Sequence, residues 1–123
     1  MPTNPMPPSL YEIVKRAVEV ADPGDGDSKL GNLLEQFEDD DEPVTSVLDD
    51  LERLVGDAVS YVDPEIDDPS VSVAAAMILY LARRRDELHA QPEKIMRLAA
   101  RAEWKGDTPE RVVDWLADRG VTL

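Results

Sequence analysis

The sequence predicts an all-α fold: a compact orthogonal bundle of five or six helices around a central apolar helix over about 70–89, closing in a C-terminal helical hairpin. Three observations carry this. No segment sustains the period-2 alternation of a half-buried strand, apolar residues recur repeatedly at i, i+3, i+4 spacing, and proline and glycine clusters separate the recurring stretches. A chain of 123 residues sets the scale, enough for one domain that buries roughly two thirds of its unfolded-state surface.

Residues 1–8 contain four prolines and are expected to form a disordered tail, leaving 9–123 as the single helical domain. Ser9, three residues before Glu12, matches a capping box, and Leu10, Ile13, Val14, Ala17 and Val18 form one face of the first helix. Turn-forming residues from Asp22 to Asp27 end it. A short second helix follows, with Leu30, Leu33, Leu34 and Phe37 on one side. From Val44 to Val62 the pattern predicts one amphipathic helix, with Asp49, Asp50, Glu52 and Asp57 opposite its apolar face. Between Val71 and Ala82 the next helix is apolar all round, as expected of an element enclosed by others, and its alanines, Ala75 among them, allow close approach. Pro92 opens a fifth helix that buries Ile95, Met96, Leu98, Ala99 and Ala102. Pro109 opens a sixth with Val112, Val113, Trp115 and Leu116 inward, stopped by Gly120.

Composition narrows the function classes. The chain has no cysteine, which removes disulfides and thiolate metal sites, and its longest apolar run, Val73 to Ala82, is about half the length a membrane span needs. The N-terminus lacks a cationic, then apolar, leader, so a cytoplasmic location is expected. Aromatic residues make up 5% of the chain, so Val, Leu, Ala and Ile must build the core. Net charge is −14 and unevenly spread: residues 1–70 hold 19 acidic against 4 basic side chains, residues 71–123 hold 8 against 9. A salt-adapted or GC-rich source explains acidity in general, but accounts poorly for a contrast between halves.

No residue set points to catalysis. His89 is the sole histidine and lies near a helix end, where a favourable interaction with the dipole suffices; phosphate-binding loops and His-Glu-x-x-His are missing from the sequence. The segment from Asp25 to Gly31 opens like a calcium loop, but Lys29 takes a ligand position and Gln36 the closing one, so a polar turn is the better reading. A non-enzymatic protein without cofactor or metal is therefore expected.

Two charged constellations remain. Glu38, Asp39, Asp40, Asp41 and Glu42, with Asp49, Asp50 and Glu52, form an anionic face suited to a basic protein partner. Lys94, Arg97, Arg101 and Lys105 fall within about an 80° stripe of one helix, a basic ridge that offers nucleic acid as the alternative partner. Arg83, Arg84 and Arg85 are expected to complement a helix C-terminus and to pair with first-half acids. The acidic half lying against the ridge, within one molecule or across a homodimer, is a further expectation. The sequence therefore points to a regulatory or protein-interaction module that binds a basic partner and does not enter a membrane.

Overall fold

The computed structural model describes residues 7–24, 26–60, 62–63 and 69–123. Among them the α-helices are α1 Leu10–Ala21, α2 Ser28–Gln36, α3 Leu51–Ala58, α4 Pro69–Arg83, α5 Pro92–Trp104 and α6 Glu110–Ala117, and there is no strand. The part of the tail over residues 1–6 lies outside the described residues.

α4 is the axis of the bundle and touches all five other helices. Val71, Val73, Ala74, Ala76, Met77, Ile78, Leu81 and Ala82 are buried there, and one continuous core joins them to the inner faces of the surrounding helices. Its aliphatic surface has no polar face to present to water, so enclosure is the arrangement that stabilises it most. Enclosure is not complete, however. Ala75, expected in the core, is half-buried, as are Leu79 and Tyr80.

α1 shows how the first half is assembled. The Ser9 hydroxyl accepts from the Glu12 amide at 3.1 Å, the N-cap bond the sequence predicts. Two more amides of its first turn are satisfied from far along the chain: Leu10 donates to the Glu42 carbonyl and Tyr11 to the Asp40 carbonyl, both at 3.1 Å, while Val44 donates to the Pro8 carbonyl at 2.9 Å. Helix starts leave four amides without intrahelical partners, so this backbone docking is a direct consequence of having a helix there. At the other end, Asp22 accepts from Gly26 and Asp27, and Asp27 caps α2 while accepting the Ser70 hydroxyl at 2.9 Å. The segment that opens like a calcium loop thus contains the cap of α2, tied to the start of α4; its Asp25 lies outside the described residues.

Several predicted boundaries are corrected. The helix expected from Val44 to Val62 is two 3₁₀ turns, Val44–Ser46 and Leu48–Asp50, followed by the eight-residue α3. Val47, with φ −120°, separates the turns, and the Ser46 hydroxyl donates back to the Pro43 carbonyl at 2.7 Å, competing with helical pairing. α4 ends at Arg83 rather than near 89, because Arg84 leaves the helical region and Arg85–Glu87 forms a separate 3₁₀ turn. On α5, Ala102 is exposed and Leu98 half-buried, while Ala100 joins Ile95, Met96 and Ala99 in the core. On α6, Val113 is exposed, whereas Val121 beyond the helix is buried. Gly120 at φ +79° lets the chain turn back: Gly120 donates to Ala117 and Val121 to Leu116, a Schellman cap that carries Val121 into the core.

Candidate interaction surface

The acidic run sits where α2 hands over to the 3₁₀ turns. Glu38, Asp39, Asp41 and Glu42 are exposed and Asp40 is half-buried. Backbone bonds hold the run at both ends. Glu38 donates to Glu35 and Asp40 to Phe37, whose side chain is in the core, and the carbonyls of Asp40 and Glu42 bind the start of α1. The carboxylates therefore project from a pinned backbone near the positive end of the α1 dipole, which favours negative charge. Desolvation, followed by repulsion from Glu42, Asp39 and Asp41, raises the Asp40 pKa above the ordinary carboxylate value of 3.8. The run is thus held against its own repulsion.

The helix that the second acidic segment enters is bonded at its far end to the end of α2. The Gln36 side chain, two residues before the run, donates to the Ala58 carbonyl at the end of α3 at 3.2 Å. Asp49 and Asp50 lie in the 3₁₀ turn before α3 and Glu52 in its first turn, all exposed. Arg53 stands among them, 3.8 Å from Asp50 and 3.9 Å from Asp57. Glu52 pairs with Arg83 of α4 at 3.1 Å, an ion pair between the acidic and basic halves. Pairs this exposed each contribute at most about 1 kcal/mol and weaken with salt.

The basic stripe is partly committed elsewhere. Lys94 lies 3.2 Å from Glu87, and the Arg97 Nε donates to the Thr122 carbonyl at 3.1 Å, tying α5 to the C-terminal segment. Arg101 is exposed on the helix, and Lys105 lies beyond its last residue in the left-handed conformation at φ 49°. The arginine triplet divides its work. Arg83 meets Glu52; Arg84 bonds Asp86 and Glu87; Arg85 donates to the Ala82 carbonyl at 2.7 Å, satisfying the end of α4. Arg84 holds the exposed Asp86 below its usual pKa through their hydrogen bond. Arg119 stacks on Trp115, 3.4 Å from the ring centroid. His89 is exposed beyond the 3₁₀ turn that follows α4.

Two features escape a reading by spacing. Arg16 of α1 donates to the Leu88 and Ala90 carbonyls at 2.8 and 3.1 Å, a long-range clamp that no local pattern announces. A trough of about 530 Å³ opens between α3, α4 and α5, floored by Ala75 and Leu79, walled by Val55, Gly56 and Val59, and edged by Ala102. The sequence signal nearest to it is the amphipathic α3 followed by an apolar α4.

Among the described residues no group of three or more His, Cys, Asp or Glu side chains could hold a metal ion, and no helix is long and apolar enough to cross a membrane. No known protein family, curated protein or solved structure matches this chain.

Proposed function

We propose that this protein is a non-enzymatic interaction module whose acidic surface, formed by residues 38–42 and the 49–52 segment entering α3, docks a basic partner protein. The observation that carries the reading is the pinned acidic run. Four exposed carboxylates and a half-buried fifth stand on a backbone bonded to two helices, so little ordering remains to be done when a cationic surface arrives. Charge so arranged steers encounter and selects partners more than it stabilises the fold. The repulsion that adds to desolvation in raising the Asp40 pKa is relieved when positive charge comes close.

Affinity capture from the source organism, using wild-type protein and Asp39→Asn/Asp40→Asn/Asp41→Asn as parallel baits, tests the reading. Basic proteins retained by wild type and lost from the neutralised bait are the expected result. Equal capture by both baits contradicts it, as does retention of the wild type on heparin at moderate salt, which assigns the contact to the α5 stripe.

A further inference from the structure

We propose that the trough between α3, α4 and α5 receives about two turns of an amphipathic helix from the basic partner, with the partner's cationic flank turned toward α3. The inference rests on the acidic-surface reading above and names the form in which that partner binds. Along α3 the trough runs from Glu52 to Val59 and along α4 from Ala75 to Arg83, roughly 10–12 Å in each case, the length of two helical turns. A second, smaller hollow of about 270 Å³ continues it, sharing Leu79, Arg83, Ala102 and Glu103 and adding Tyr80.

Gly56 is the informative residue. Gly31 of α2 and Gly56 of α3 both sit inside helices where a Cβ meets nothing within 4 Å, but Gly56 is the exposed one and lines the trough. Glycine is among the worst residues for a helix interior, and neither backbone nor packing at this position demands it. A small residue against a groove is useful where another backbone must come close, and Ala75 and Ala102 keep the opposite sides low in the same way.

Charge selects the occupant. Beside the trough, in and before α3, Asp49, Asp50 and Asp57 are exposed with Arg53 near Asp50 and Asp57, Glu52 stands on its edge, and the run from Glu38 to Glu42 is tied to the end of α3 through Gln36 and Ala58. On the α5 side Glu103 and Lys105 balance. Arg83 within the trough is already paired with Glu52. A helix with an apolar ridge at i, i+3 or i+4 and i+7, lysine or arginine along one flank and a neutral second flank fits both sides. A second copy of this chain fits poorly. The apolar ridges of its own helices lie in its core, its first-half surface is acidic too, and half of its α5 basic stripe is engaged within the chain, Lys94 with Glu87 and Arg97 with the Thr122 carbonyl.

A synthetic helical peptide of roughly 14 residues, with leucines at those spacings and lysines on one flank, is the probe. Amide resonances are followed in the full chain and in Gly56→Leu, which fills the trough. The variant's thermal midpoint is expected at or above that of wild type, because helix propensity rises. The expected result is movement of the Gly56, Ala75 and Leu79 signals in wild type, at least about tenfold weaker binding to Gly56→Leu, and loss of binding when glutamate replaces lysine. Shifts confined to 38–42 and indifferent to Gly56→Leu overturn the trough while leaving the acidic-surface reading intact. Absence of any binding overturns the trough and counts against that reading as well. Concentration-dependent self-association that shields the trough overturns the proposal in favour of a second copy.

Discussion

Single side chains in this protein carry costs that the fold tolerates, and each cost is measurable. The Tyr80 hydroxyl is buried without a hydrogen-bond partner among the described residues, and burial, then the nearby Glu87, raises its pKa. Tyr80→Phe keeps the ring and removes the unsatisfied group, so stability is expected to hold or rise by up to about 1 kcal/mol in urea titration. A loss of that size would show that the hydroxyl has a partner in solution. Asp40 gives a pH signature. Its folded pKa is raised, so the folded chain binds a proton more readily than the unfolded chain between 3.8 and the raised value. Stability from this group therefore falls as pH rises through that window, and the penalty is fully present above it. Asp40→Asn should raise the thermal midpoint at neutral pH, and the gain should vanish on acidification to about pH 3.5. Asp86 works in the opposite sense. Its pKa is lowered by Arg84, so its contribution is present above 3.8 and is lost as pH falls through the folded value.

At the level of elements, α1 depends on groups supplied by distant sequence. Ser9→Ala removes one N-cap acceptor while the carbonyls of Asp40 and Glu42 remain, so a loss of about 1 kcal/mol is expected, read as a lower urea midpoint at unchanged slope. The contrast between α1 and α3 shows what the sequence made legible. α1 announced itself through a cap and an apolar face that agree, and its buried set includes every residue the spacing selects. α3 did not. The apolar pattern from Val44 to Val62 fits a helix throughout, but β-branched Val44, Thr45 and Val47 after Pro43 have weak helix propensity, and Ser46 bonds the backbone instead. Periodicity reports which residues face inward and is nearly blind to whether the backbone is α or 3₁₀. The end of α4 was lost for a similar reason at Arg84, whose side chain pairs with Asp86 and Glu87 beyond the helix, and on α6 the inward set was misassigned because Val121, beyond the Schellman turn, is buried while Val113 is exposed. The acidic run was legible as charge. That its carbonyls cap α1 was not, because such pairing depends on which segments meet.

For the molecule as a whole, the central helix divides one prediction into two. Ala74 is fully buried whereas Ala75 lines the trough, so Ala74→Asp should abolish the cooperative thermal transition while Ala75→Asp retains it. A sharp transition in both would place α4 at the periphery. Electrostatics act on another level. Net charge of −14 opposes compaction and is screened by salt, so it cannot be what holds the bundle together, and the aliphatic core must do so. What the charge can do is choose partners, provided its position matters and not merely its sum. Two triple variants of equal net charge separate these cases: Asp39→Asn/Asp40→Asn/Asp41→Asn in the acidic run, and Asp107→Asn/Asp114→Asn/Asp118→Asn, all exposed, in the other half. The decisive measurement is the affinity of each for the partner captured by wild type, at low and moderate salt. Neutralising the run is expected to weaken binding at least about tenfold and flatten its salt dependence, with the second variant close to wild type. Equal losses in both variants, or none in either, would contradict the account.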